Sequence, residues 1–262
     1  MDLNGKVALV TGSAQGIGKS YVEHLLKNNV KVMISDVNQV VGEETRNEMA
    51  KKFGEDKVKF TLCDVTNENQ FEDTIKNTIR SFGKIDILIN NAGIGNETMD
   101  AGWKKTIQVN FISLVKGTYL GMKYMGKDQG KNGGTIINIA SLTTFEPFET
   151  VPVYSATKSA VNQFSRSIGT KLHYDRTGVR VISINPGFTD TAILPSIASN
   201  QSINDGKKLW DDKCTKSGVQ CVDNMGKGMI EVLKKADPGS MWAIENEGAP
   251  KRIEFIVEKY NC

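Results

Sequence analysis

Short apolar runs alternate with longer mixed segments along the whole of this 262-residue chain. Seven runs rich in β-branched residues, each with four to six nearly unbroken apolar residues, indicate strands that are buried on both faces. They lie at 6–12, 31–37, 57–65, 85–93, 134–141, 179–187 and 240–248. The segments between them are long enough for crossover helices. This alternation predicts an α/β fold with a doubly wound parallel sheet of about seven strands and helices on both faces.

One intervening segment, 67–82, shows a helical pattern directly. Its apolar residues Phe71, Ile75, Ile79 and Phe82 recur at spacings of four, four and three. Residues at these spacings lie on one face of a helix. The segment is therefore predicted to be a helix whose apolar stripe faces the core.

The regular alternation fails at 189–220, a polar stretch of a length that is usually functional or mobile inside a compact domain. We interpret it as a substrate lid over a site at the carboxyl ends of the strands. Linkers, internal repeats and low-complexity tracts are not evident elsewhere. The chain 1–262 is therefore predicted to be a single nucleotide-binding domain.

Charge and composition exclude several classes of protein. The 33 basic and 30 acidic residues are interspersed, so neither a nucleic-acid-binding arm nor a polybasic membrane patch is predicted. The apolar stretches are too short for a signal peptide or a membrane span. Cys63, Cys214, Cys221 and Cys262 lack metal-ligand spacing, so we expect no metal and a reduced, cytoplasmic location. The sequence leaves undecided whether Cys214 and Cys221 form a disulfide.

A glycine-rich turn follows the first predicted strand and opens a helix. Its glycines can adopt positive φ and let a ligand approach the backbone, while free N–H groups at the helix start favour a pyrophosphate. This arrangement is typical of Rossmann-type dinucleotide-binding folds, although the spacing Gly-x3-Gly-x-Gly differs from the better-known G-x-G-x-x-G. Tight packing alone would also explain three glycines. The predicted contacts of the turn are Gly12, Ser13, Gln15, Gly16, Ile17 and Gly18.

Asp36 ends the second predicted strand, eighteen positions after Gly18. A carboxylate there can accept hydrogen bonds from both ribose hydroxyls of the adenosine and would repel a 2′-phosphate. Because no arginine lies beside it, the prediction is NAD rather than NADP, with a solvated strand-end aspartate as the alternative. Further cofactor contacts are predicted at Val37, Cys63, Asp64, Val65, Asn91 and Gly93.

Tyr154 and Lys158 lie four residues apart in the sequence VPVYSATKSAV. On a helix such residues share one face, so the ammonium can sit beside the phenol and favour its ionised form. A phenol with an operating pKa near neutrality can act as a general acid and base. Ser141, which ends a predicted strand, can bond the reacting oxygen.

These motifs and Asn110 occur one after another along the chain. Together they make residues 5 to about 192 resemble the short-chain dehydrogenase/reductase family. The resemblance implies an Asn–Ser–Tyr–Lys tetrad of catalytic residues: Asn110, Ser141, Tyr154 and Lys158. It implies that Asn110 holds a water of a proton relay and that Tyr154 and Lys158 contact the nicotinamide half of NAD. It also implies cofactor contacts at Pro186, Phe188, Thr189 and Thr191.

Within this family the sequence is most similar to NAD-dependent 15-hydroxyprostaglandin dehydrogenases and insect alcohol dehydrogenase-like enzymes. The prostaglandin enzymes are expected to carry a substrate-facing glutamine at the position of Val151. Its absence puts a prostaglandin substrate in doubt. Phe145, Phe148 and Val151 instead suggest an apolar wall, although packing under the lid would explain them equally well. The predicted substrate contacts are Ser141, Phe145, Phe148, Val151 and Tyr154.

The leading hypothesis is therefore an oxidoreductase that transfers a hydride between NAD and a hydrophobic secondary alcohol or ketone. Two alternatives remain: a catalytically silent NAD-responsive binding protein, and a non-redox cyclase or isomerase on the same scaffold. The resemblance also implies association into a homodimer or homotetramer through helices near 100–127 and 152–174. The apolar faces of these helices would equally fit the core of a monomer.

Overall fold

The structure, a computed structural model, describes residues 1–254. Within that range the strands are β1 (Val7–Thr11), β2 (Lys31–Asp36), β3 (Val58–Leu62), β4 (Ile87–Asn90), β5 (Gly134–Ile139), β6 (Val179–Pro186), β7 (Met241–Ile244) and β8 (Lys251–Ile253). They form one sheet in the order β3-β2-β1-β4-β5-β6-β7-β8. The seven strands predicted from sequence are all present and parallel. The predicted fold class is confirmed.

The eighth strand, β8, was not predicted. It pairs antiparallel with β7 at the edge of the sheet and has exposed or half-buried residues. Its sequence, Lys-Arg-Ile, contains no apolar run, because an edge strand needs neither face fully buried.

The helices are α1 (Gly16–Lys27), α2 (Gln39–Phe53), α3 (Glu68–Phe82), α4 (Gly102–Ile107), α5 (Ser113–Met125), α6 (Pro152–Ile168), α7 (Lys171–Thr177), α8 (Ile193–Ser199), α9 (Gly206–Ser217) and α10 (Val222–Lys235). Helices α1, α2 and α10 cover one face of the sheet. Helices α3, α5 and α6 cover the other. None of the described helices has the length and apolar character needed to cross a membrane.

Burial on both faces explains the continuous apolar runs. In β1, Ala8 and Val10 pack into the core beneath α1 and α10, whereas Leu9 packs into the core on the opposite face. Helix α3 begins after Asn67, whose side chain accepts hydrogen bonds from two backbone N–H groups of its first turn. Phe71 and Ile75 of this helix are fully buried, which confirms the predicted core-facing stripe.

The sheet order brings the functional segments to one edge. From β1 the strand order runs to β2 and β3 on one side, and from β4 it runs to β5, β6 and β7 on the other. Strands β1 and β4 are neighbours, and the point between them is a topological switch point. In open α/β sheets, ligands bind at such a point. The glycine turn follows β1, and the segments after β4, β5 and β6 surround it. Two short helices, α8 and α9, lie within the segment 189–220 that the sequence left without regular structure.

Cys63, Cys214 and Cys221 are free thiols, so Cys214 and Cys221 are not paired. Cys262 lies outside the described residues. Across residues 1–254, no three His, Cys, Asp or Glu side chains cluster in a way that could hold a metal ion.

Candidate active site

A cavity of about 480 Å³ opens at the carboxyl ends of the strands. Its size lies within the usual range for small-molecule sites. Most residues that the sequence predicted for the cofactor line it. They are Gly12, Gln15, Gly16, Ile17, Gly18, Asp36, Val37, Cys63, Asp64, Val65, Asn91, Gly93, Tyr154, Lys158, Pro186, Phe188, Thr189 and Thr191.

The glycines of the turn are required by geometry. Gly12 has a φ of +61°, and a Cβ there would lie 2.7 Å from the Cα of Ala92. At Gly18 a Cβ would lie 2.4 Å from the carbonyl oxygen of Gly12 and 2.7 Å from Nδ2 of Asn91. Any side chain at these two positions would therefore displace backbone. The turn brings the N-terminal end of α1 to the cavity, which fits the diphosphate of a dinucleotide.

Asp36 lies at the end of β2, beside the glycine turn. Its Oδ2 accepts a hydrogen bond of 3.0 Å from the backbone N–H of Ala14, and its Oδ1 accepts one of 3.0 Å from Asn38. Two carboxylate oxygens offer about four acceptor sites, so acceptor capacity remains for a ligand's hydroxyl groups. The turn and this carboxylate together fit an adenosine dinucleotide.

Ser13 was predicted to contact the cofactor, but the structure places it beneath the turn, outside the cavity wall. Its side chain is fully buried and is not part of the cavity wall. Its hydroxyl donates to the carbonyl of Val10 at 2.7 Å and accepts from the N–H of Ser35 at 3.1 Å. Its own N–H donates to the carbonyl of Ser35. Ser13 therefore ties β1 to β2 beneath the turn.

Tyr154, Lys158 and Ser141 meet at the inner end of the cavity. Tyr154 and Lys158 lie one turn apart on α6, and the Lys158 ammonium nitrogen is 5.5 Å from the centre of the phenol ring. Ser141, which follows β5, hydrogen-bonds the phenol. Lys158 donates to the carbonyl of Ile139 at 2.9 Å, and this leaves two of its three N–H groups for other partners.

Burial dominates the titration of both groups. It raises the pKa of Tyr154 to about 12, although the hydrogen bond from Ser141 acts in the opposite direction. It also lowers the pKa of Lys158 to about 8. Without bound cofactor, burial therefore outweighs the Ser141 hydrogen bond and the phenol is neutral at pH 7. That Lys158, together with an oxidised nicotinamide, favours the ionised phenol stays a prediction.

Asn110 lies behind the cavity rather than in its wall. It is fully buried in a π-helical turn, Gln108–Ile112, between α4 and α5. Its amide group accepts from the N–H of Ile94 at 2.9 Å and donates to the Ile94 carbonyl at 2.8 Å. A Cβ on Gly93 would lie within 3.5 Å of both the Asn110 Oδ1 and the Lys158 ammonium, so both groups lie against Gly93. The predicted water relay stays a prediction.

The far end of the cavity is apolar. Phe148, Ile197 and Trp210 belong to one buried cluster, and the edge of the Phe188 ring lies against Trp210 with centroids 5.4 Å apart. Of the predicted substrate contacts, Ser141, Phe148 and Tyr154 line this space.

Two of the predicted substrate contacts, Phe145 and Val151, do not line the cavity. Phe145 is 43% exposed and does not line the cavity. Val151 is fully buried in the cluster with Phe148 and Trp210, so it supports the wall from behind. The position at which a glutamine was expected in prostaglandin enzymes therefore does not face the cavity in this structure.

Sequence reasoning missed several lining residues. Ile193, Leu194, Ile197 and Trp210 come from α8 and α9, whose polar segment gave no regular apolar pattern. Thr143 also lines the cavity, and its buried hydroxyl has no hydrogen-bond partner among the described residues. Its position two residues after Ser141 is the signal that could have identified it.

Known proteins share this architecture. The family model for the short chain dehydrogenase matches residues 6–202. The 15-hydroxyprostaglandin dehydrogenase (NAD+) of Macaca fascicularis is 43% identical over 258 residues, covering 97% of this chain and 95% of the relative. Alcohol dehydrogenase 1 of Ceratitis capitata is 30% identical over 258 residues, covering 98% of both chains. A short chain dehydrogenase/reductase from Burkholderia phymatum, solved in complex with NAD, has a TM-score of 0.79 at 21% identity, covering 89% of this chain and 87% of that chain.

Proposed function

The chain belongs to the short-chain dehydrogenase family, and we propose that it is an NAD-dependent oxidoreductase that interconverts a hydrophobic secondary alcohol and its ketone. One observation carries the proposal. A buried phenol, Tyr154, hydrogen-bonds a serine hydroxyl and lies near a lysine ammonium in a cavity that the glycine turn and a group of apolar side chains also line.

Tyr154 would act as the general base in oxidation and as the general acid in reduction. In the oxidative direction its phenolate takes the hydroxyl proton of the alcohol. Ser141 holds the reacting oxygen by a hydrogen bond. When bound, NAD+ accepts the hydride from the carbinol carbon and contributes a positive charge, so that alcohol and NAD+ give ketone, NADH and a proton.

The residues of the chain suit NAD in three places. The N-terminal end of α1 would hold the diphosphate, and Asp36 would accept hydrogen bonds from the adenosine ribose. The two free N–H groups of Lys158 would reach the nicotinamide ribose. With a pKa of about 8, lowered by burial, Lys158 is mostly protonated at neutral pH.

The apolar end of the cavity favours a substrate with a hydrocarbon body. Phe148, Phe188 and Trp210 provide its wall. A 15-hydroxyprostaglandin is a second candidate within this class. It is favoured by the 43% identity with a 15-hydroxyprostaglandin dehydrogenase and by the position of Val151 outside the cavity.

The test is Tyr154→Phe, which keeps the ring and removes the hydroxyl. Turnover is measured by absorbance at 340 nm with secondary alcohols of graded chain length and with a 15-hydroxyprostaglandin, using NAD and NADP. We expect wild-type activity with NAD and a loss of at least about 100-fold in kcat for the variant. The Kd of NAD should stay within about twofold, because the phenol hydroxyl is one of many predicted contacts of the dinucleotide.

The outcomes separate the alternatives. Binding of NAD without turnover of any substrate would support a silent NAD-responsive protein. Product formation without a change at 340 nm would support a cyclase or isomerase. Undiminished turnover in Tyr154→Phe would exclude Tyr154 as the acid and base, and a preference for NADP would contradict the assignment of Asp36.

A further inference from the structure

Helix α6, which carries Tyr154, begins without a side-chain cap of its own. Its N-cap residue is Val151, which has no side-chain acceptor, and its first residue is Pro152, which has no N–H. The N–H groups of Val153 and Tyr154 therefore need an acceptor from another part of the chain. Both groups are buried or nearly so, and leaving them unpaired would be costly.

Glu97 supplies this acceptor. Its Oε1 accepts from the N–H of Tyr154 at 2.7 Å, and its Oε2 accepts from the N–H of Val153 at 3.1 Å. The residue is only 3% exposed. Across residues 1–254 its carboxylate forms no salt bridge with a lysine, arginine or histidine. The two N–H groups and the positive end of the α6 dipole are thus the groups that compensate its burial.

The same residue also contacts α8, one of the two helices over the apolar pocket. The N–H of Glu97 donates to the carbonyl of Asn200, directly after α8, at 2.9 Å. Two residues earlier, a Cβ on Gly95 would lie 2.3 Å from Cγ1 of Ile197. The loop after β4 is therefore packed tightly against α8 on one side and bonded to the start of α6 on the other.

We propose that Glu97 is a positioning residue that fixes Tyr154 for proton transfer and joins the catalytic helix to the helix that covers the substrate. The proposal rests on the function proposed above. The phenol must stay within hydrogen-bond reach of Ser141 and of a substrate oxygen, and a displacement of about 1 Å can cost about 100-fold in rate. Glu97 bonds the backbone of Tyr154 itself, so its loss moves the residue that carries the hydroxyl.

The experiment uses Glu97→Gln, which keeps the size of the side chain. The amide has one acceptor oxygen, and its NH₂ group would face the second N–H of α6. We expect kcat to fall at least about 10-fold. The Kd of NAD should stay within about twofold, because Glu97 does not line the cavity. Amide hydrogen exchange should become faster in both 152–158 and 193–200.

Asn67→Ala is the matched control, because Asn67 caps α3 by accepting from two backbone N–H groups, each at 3.1 Å. It should lower the melting temperature without changing kcat or exchange in those two segments. A Glu97→Gln variant that behaves like the control, losing stability but not kcat, would overturn the proposal. Unchanged exchange in 193–200 would overturn the link to α8. If the wild type has no dehydrogenase activity, the proposed function fails, and the exchange data still test the role of Glu97.

Discussion

At the scale of single residues, the proposed chemistry depends on the pKa of Tyr154. Burial raises this pKa to about 12, and the hydrogen bond from Ser141 lowers it. Oxidation needs the Tyr154 phenolate. At pH values below the pKa that Tyr154 has in the complex with cofactor, the rate of oxidation should therefore rise about tenfold per pH unit. Reduction needs the neutral phenol, so its rate should be flat at low pH and fall as the phenol ionises. That fall should lie at higher pH than the oxidative rise, because reduced nicotinamide carries no positive charge.

Replacement of Ser141 tests this account. Ser141→Ala removes the hydrogen bond that stabilises the phenolate, so the rising limb of the oxidation profile should move to higher pH. The profile of kcat is measured from pH 6 to 11 with saturating NAD. Ser167→Ala, an exposed position on the same helix, should leave the profile unchanged. A rising limb that stays in place or moves to lower pH in Ser141→Ala would contradict the assigned role.

Residue types and spacing located the chemical groups but not the direction in which each one faces. Tyr154 and Lys158 were found because a four-residue spacing fixes a shared helical face. For Ser13 and Val151 the sequence did not show that they lie outside the cavity wall, because loop residues have no such periodicity. Glu97 gave no local signal, since its partners are 56 and 57 residues away and meet it only through the sheet order.

At the scale of elements, α8 and α9 form the wall that should determine substrate size. Trp210 is 2% exposed and donates its Nε1–H to the carbonyl of Leu194 at 3.2 Å, which joins the two helices. Lys213 of α9 lies 4.4 Å from the ring centre of Phe148 and 3.4 Å from a carboxylate oxygen of Glu146. These contacts attach the covering helices to the loop after β5.

Trp210→Leu should weaken this wall. The substitution removes the ring edge and the N–H donor, and we expect it to cost roughly 2 kcal/mol of unfolding free energy. The KM for a long-chain substrate should rise several-fold while the Kd of NAD is unchanged. Trp242→Leu provides the control, because Trp242 is buried in the core beneath α10 and bonds Ser240. If both variants change KM equally, global destabilisation rather than the wall explains the effect.

Helices and strands could be predicted from the sequence where burial alone determines the spacing of their apolar residues. Two-sided burial produced the runs of strands such as β1, β4 and β6, whereas β3 at the sheet edge is only partly buried, and one-sided burial produced the stripe of α3. The π-helical turn Gln108–Ile112 has no such origin. It contains Asn110, whose amide forms hydrogen bonds with the N–H and the carbonyl of Ile94 and so ties the helix to the loop after β4. A tertiary contact of this kind leaves no periodic trace in the sequence.

At the scale of the whole molecule, one face remains apolar and exposed. On the outer side of α5 and α6, Tyr119 is 54% exposed, and its ring lies edge-on to Phe164 with centroids 6.0 Å apart. Phe111 meets Phe164 from the other side, at 6.4 Å. Next to this aromatic group Ile112 is 46% exposed. Adjacent exposed apolar side chains of this kind are typical of protein–protein interfaces.

This face lies on the helices that the sequence resemblance implied for a dimer interface, and we therefore predict a homodimer or homotetramer formed through it. Tyr119→Glu would place a charge within the aromatic group, where burial in an interface without a partner is strongly unfavourable. Sedimentation velocity should show the wild type as an oligomer and this variant as a monomer. Val40→Glu, a charge placed at a 68%-exposed position on α2, should leave association unchanged. A wild type that sediments as a monomer, or a Tyr119→Glu variant that still associates, would show that these helices are not the interface.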